Sequence, residues 1–174
     1  MKRRILVGTA VFCTLLAGSI LAQPPASTAT CIISATVSEI MEWAADFTAL
    51  DVGTMTHQTD VLTGSSTQTL YTNGHVTITA DNGTDAELSE VGGDTLYTEY
   101  GLLYDHDGLT ETGGANVPYA VYSSFIDTGS AVTHVAGDGA VDVTLQVRAS
   151  NAGSTQADYG SYGATQTLTA TWSS

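Results

Sequence analysis

Six consecutive residues carry the sharpest chemical signal in this chain. Phe125-Ile126-Asp127-Thr128-Gly129-Ser130 sets one carboxylate in a tight polar loop behind two apolar residues. Two such carboxylates sharing one proton can activate water against an amide bond, because like charges that close cannot both ionise. The chain holds one copy, so this chemistry would need a symmetric partner. Two other turns offer hard oxygen ligands at alternate positions. Asp105-His106-Asp107-Gly108 has Glu111 beyond it, and Asp81-Asn82-Gly83-Thr84-Asp85 has Glu87 beyond it. Asp105, Asp107, Asp81 and Asp85 are the calcium candidates. Neither run has EF-hand spacing, and the same residue types are ordinary turn formers.

The Asp127 loop resembles the catalytic loop of aspartic proteases. Such a loop is braced by an apolar-apolar-Gly strand well downstream. Val135-Ala136-Gly137 follows too closely for that role. His57, His75, His106 and His134 lie far apart, without ligand-pair spacing. Tyr97, Tyr100, Tyr104, Tyr119 and Tyr122 could stack on sugar rings, or pair across strands in a core. No phosphate loop, nucleophile elbow, paired-His zinc helix or dinucleotide fingerprint is present. The chain reads as non-enzymatic, with no cofactor. A sugar- or calcium-binding secreted module is the first alternative. An aspartic protease using Asp127 is the second.

The elements that would position these residues are strands. Residues 75–80, 141–147 and 167–172 alternate polar and apolar positions. Residues 31–37, 68–71, 95–104, 119–125 and 131–135 are further candidates. A period of two buries one face and wets the other. Turn pairs separate the runs: Asn73-Gly74, Asn82-Gly83, Gly92-Gly93, Asp107-Gly108, Gly113-Gly114 and Gly137-Asp138-Gly139. This punctuation predicts an all-β, antiparallel sandwich. Residues 38–50 fit either a short helix capped by Ser38 or a bulged strand with Trp43 inward.

Charge narrows the partners. The chain carries 4 Lys+Arg against 18 Asp+Glu, a net charge of −14. Lys2, Arg3 and Arg4 sit at the start, and Arg148 is the fourth. That distribution excludes a nucleic-acid surface and a polybasic membrane surface, both of which need clustered cations. Hydrophobic content of 43% argues against an acidic disordered tail.

Residues 1–22 read as a secretory signal peptide, with a basic start, an apolar run and small residues ahead of Gln23. Its removal leaves no Lys, a single Arg and one cysteine, Cys31. Residues 23–30 form a flexible Pro/Ser/Thr leader, and 31–174 a single β-sandwich domain. Cys31 is expected to be buried, with an intermolecular disulfide or a free thiol as the other readings. No membrane association is expected once the signal is cleaved.

Four motifs in order give a resemblance. Cys31-Ile32-Ile33-Ser34-Ala35 precedes Leu50-Asp51-Val52-Gly53-Thr54-Met55. A Tyr-rich run over 95–105 follows, and Tyr159-Gly160-Ser161-Tyr162 introduces an alternating C-terminal strand. This order resembles the spore-coat-U/archaic fimbrial subunit family. The resemblance implies an Ig-like sandwich completed by a neighbour's donor strand, built into a surface fimbria, filament or coat. It also implies homopolymer partners, a periplasmic chaperone and an usher, and a secreted, cell-surface location. The leader lacks alternation, so the donor strand falls on 31–37, with Ile33, Ala35 and Val37 on one face.

Overall fold

The strongest alternation in the sequence becomes the middle of the molecule. The computed structural model describes residues 27–151 and 156–173. Strand β8 (Ala140–Ser150) buries Val141, Val143, Leu145, Val147 and Ala149 and turns the intervening residues outward. It is flanked by β2 (Val61–Thr72) and β4 (Tyr97–Tyr104). With β1 (Met41–Trp43) and β6 (Val117–Val121) they form a five-stranded antiparallel sheet, ordered β1-β2-β8-β4-β6. A second antiparallel sheet, ordered β5-β7-β3-β9, holds β5 (Gly113–Gly114), β7 (Ser130–Thr133), β3 (Val76–Ala80) and β9 (Leu168–Trp172).

The inner faces of the two sheets meet in one core. Leu70, Val76, Ile78, Leu102, Phe125 and Val143 have no exposed surface. Each such side chain contributes ~1.5–3 kcal/mol relative to an exposed position. Helical structure among the described residues is limited to 3₁₀ turns at Thr84–Ala86 and Tyr122–Ser124. The all-β sandwich expected from alternation is the observed fold.

Of the two readings of 38–50 the strand is the one observed, as β1 over 41–43, with Trp43 packed on the core. Met41, Glu42 and Trp43 pair with Thr72, Tyr71 and Leu70, and Asn73 fixes the approach by accepting from Ile40 N at 2.9 Å. Gly113-Gly114, expected as a turn, is the strand β5, and two of the other turn pairs cross between the sheets. Asn73-Gly74 carries the chain from β2 in one sheet to β3 in the other, and Gly137-Asp138-Gly139 carries it from β7 to β8. Residues 31–37 form no strand.

Among the described residues the first strand of the sandwich is β1, at Met41. Residues 1–22, read as a signal peptide, and residues 23–26 of the expected leader lie outside the described residues. No helix among the described residues is long and apolar enough to cross a membrane.

The outer face of the larger sheet is polar and cross-linked. Thr67 and Thr144 share a hydroxyl hydrogen bond of 2.7 Å, and Thr69 donates to Asp142 at 2.6 Å. Arg148 lies 2.7 Å from Glu99 and stacks 4.6 Å over the Tyr119 ring, tying β8 to β4 and β6.

Candidate functional site

One flank of the sandwich stays open. β1 is the edge of the larger sheet and β9 the edge of the smaller, and they lie against each other. Past β1 the chain leaves the sheet and runs irregularly over 44–53. Trp43, Phe47 and Val52 are half-buried on the core, with the Trp43 and Phe47 rings 5.5 Å apart. Gly64 of β2 admits Val52, because a Cβ there would lie 3.1 Å from Val52 Cγ1.

The opposite wall is a strap ahead of β9. Ser89 and Gly163 exchange backbone hydrogen bonds of 3.1 and 3.0 Å. Thr165 N donates to Asp85 O at 2.6 Å, and Asp81 N donates to Thr167 O at 2.9 Å. These bonds use one side of the strap.

Between the two walls lies a cleft of about 380 Å³. Its floor is apolar: Tyr100 from β4, Leu145 and Val147 from β8, and Leu88. Residues 47–53 form one wall and residues 162–166 the other. A second cleft of about 500 Å³ shares Val52, Gly53, Leu88 and Tyr162 with the first and extends toward 54–57 and 156–161. The two share one boundary, and their lining mixes apolar side chains with polar ones, among them Asp51, Ser66, Asn151, Asp158 and Gln166. Gln166 stands apart in its hydrogen bonding. Both polar atoms of its side-chain amide are buried and lack a hydrogen-bond partner among the described residues.

A carboxylate latches the strap. Asp94 Oδ2 accepts Asp158 N–H at 2.6 Å and lies 3.0 Å from the Tyr162 hydroxyl. The Asp158 backbone N–H, then the Tyr162 hydroxyl, hold the Asp94 carboxyl below its ordinary pKa of 3.8. Desolvation, followed by the hydrogen bond to Asp94, pushes Tyr162 up to about 12. On the groove floor, desolvation pushes Tyr100 up to about 12, and its hydroxyl donates to Ala86 O at 2.8 Å.

The predicted site residues fall elsewhere. Ile33, Ala35 and Val37 are all exposed, Ile33 at 89% and Val37 at 75%. Cys31, expected to be buried, is exposed and free. Its segment forms no strand and so has no inward face to bury the thiol. Asp81 and Asp107 close turns by accepting Gly83 N–H at 2.9 Å and Leu109 N–H at 3.0 Å. Asp105 accepts Asp142 N–H at 3.0 Å, and Asp85 lies in a 3₁₀ turn. Among the described residues no three His, Cys, Asp or Glu side chains gather as a metal-holding group.

Asp127 is exposed in the turn between Tyr122–Ser124 and β7, and accepts from the Asn82 side-chain amide. The turn is closed by Gly129 N donating to Ile126 O at 2.8 Å, with Ile126 at φ 44°. The partner recorded for the carboxylate is thus an amide.

Sequence reasoning gave no functional role to Gln166 or, as a groove wall, to residues 44–53. No periodicity marks either, because their backbones follow no regular strand. No protein-family model matches this chain, and no match is found among the curated proteins or the solved structures.

Proposed function

We propose that this chain is an exported structural subunit of a cell-surface filament or coat, and that it joins copies of itself non-covalently by strand addition. The open groove between residues 47–53 and residues 162–166 carries this reading. Its apolar floor suits alternate side chains of an extended strand, and the outer edge of β9 pairs with no strand among the described residues. An unpaired strand edge is a template for another chain.

Residues 31–37 are the incoming strand. They carry no charge in a chain of net −14, and they alternate Ile33, Ala35 and Val37 on one side. They are exposed and outside any strand. Their neutrality matters, because an acidic strand would meet a strongly acidic neighbour. The basic and apolar run over 1–22 supports export.

Size-exclusion chromatography and negative-stain microscopy of the purified protein test the reading. Filaments or higher oligomers are expected. A wild-type protein that stays monomeric at every concentration ends it.

A further inference from the structure

We propose that Gln166 is the residue that recognises the backbone of the incoming strand, through its side-chain amide. The inference rests on the strand-addition reading and adds a specificity determinant to it. The groove floor offers Leu145, Val147 and Tyr100, which can select apolar side chains but cannot fix a strand's position along the groove. Gln166 lines the same groove, and its Nε2 and Oε1 are both buried without hydrogen-bond partners among the described residues.

Buried polar groups in folded proteins are nearly always paired, so a wholly unpaired amide calls for an explanation. A carboxamide carries two donors on nitrogen and an acceptor on oxygen, the same pair of functions as a peptide group. An extended strand laid along this flank presents a C=O for Nε2 and an N–H for Oε1. The occupant is residues 31–37 of a second copy, chosen for its lack of charge and its exposed alternating apolar side chains.

The arrangement separates two quantities that usually move together. In the chain without a strand, the Gln166 amide is unsatisfied, so replacing it with an apolar residue of similar size leaves the fold as stable or more so. With the strand present, the same replacement removes hydrogen bonds and leaves the strand's own polar groups unpaired.

The acceptor for the test is the full-length chain carrying Ile33→Asp and Val37→Asp, which cannot donate its own strand. The probe is a fluorescent peptide of residues 31–37 with serine at position 31. Adding Gln166→Leu should weaken peptide binding about tenfold in fluorescence anisotropy. The peptide-free melting temperature should stay level or rise. Unchanged peptide affinity, or a lower peptide-free melting temperature, overturns the role given to Gln166. If Gln166→Leu does not fold, the acceptor with Gln166 intact still decides. Its Gln166 side-chain NH₂ signals should shift and gain exchange protection on saturation with peptide, and unmoved signals overturn the proposal. Absence of any peptide binding to the acceptor with Gln166 intact instead refutes the strand-addition reading beneath it.

Discussion

The Tyr162 hydroxyl sits between two acceptors, 3.0 Å from Asp94 Oδ2 and 2.7 Å from the Asp158 carbonyl oxygen. Asp94 Oδ2 also takes the Asp158 N–H at 2.6 Å. One carboxylate therefore fastens both ends of a five-residue stretch that walls the groove. The strap's other bonds are made by backbone to residues 81–89 and by the Asn151 side chain, whose Oδ1 accepts Ala157 N–H at 2.9 Å.

Acid should loosen the strap before the sandwich. The folded state depresses the Asp94 pKa, so its stabilisation is present above the ordinary value of 3.8 and is lost as pH falls through the folded value. Hydrogen exchange at residues 158–163 should rise below that pH, while β8 amides stay protected. Asp94→Asn should remove this pH dependence and speed exchange there at neutral pH. Equal exchange in variant and wild type across the range would refute the latch.

Alkali should act at two tyrosines together. Tyr100 and Tyr162 are both pushed up to about 12, so each holds its proton more tightly when folded. Their contribution is complete below the ordinary value of 10 and is lost as pH rises toward 12. Ultraviolet titration should show a late-ionising tyrosine class whose onset coincides with unfolding. Tyr100→Phe should shrink that class and cost roughly 1–3 kcal/mol, because the Ala86 carbonyl is left unpaired.

Arg148 should resist replacement by lysine. Its guanidinium reaches Glu99 through Nε at 2.8 Å and a terminal nitrogen at 2.7 Å while lying over Tyr119. A lysine ammonium cannot reproduce the planar fork or the stacking. Arg148 is partly exposed and water screens the pair, so Arg148→Lys should cost about 1 kcal/mol or less, and Arg148→Ala slightly more. Urea unfolding at low and high salt checks this. Raised salt should narrow the gap between wild type and Arg148→Ala.

Filament formation should depend on the exposed apolar face and not on the thiol. Val37→Asp or Ile33→Asp should abolish polymers while the melting curve of the monomer is unchanged. Cys31→Ser should leave polymers intact and remove any band sensitive to reductant on a non-reducing gel. Loss of polymers in Cys31→Ser would instead make the disulfide the joint.

The sheets were legible wherever one face of a strand is dry and the other wet. Residues 141–147 alternate without a break because β8 lies mid-sheet with an outward polar face, and Val76 and Ile78 follow the same rule in β3. The first half of β2, Val61 to Thr67, escaped notice because its outward Thr and Ser alternate with Gly64 and Ser66, which are small rather than apolar. β5 is two glycines and carries no pattern at all. Asn73-Gly74 and Gly137-Asp138-Gly139 marked the ends of strands but could not say whether the next strand joins the same sheet, and Gly113-Gly114, expected as a turn, is β5 itself. That depends on core packing between distant residues. Gln166 was illegible for a related reason. An amide in a polar stretch looks solvated until three-dimensional packing removes its water.

The crossing of the chain from sheet to sheet has a consequence for how the molecule is made. β8 is hydrogen-bonded on both sides, to β2 and β4, and Thr69 of β2 waits for Asp142, 73 residues later. Chain closure over such spans is slow, because its entropy must be met before any pairing rewards it. A nascent chain that has not reached Ala140 has two unjoined halves of its larger sheet and nothing to lay between them. Up to that point it remains a threadable polymer, and the stretch from Ala140 onward decides when it becomes a solid object.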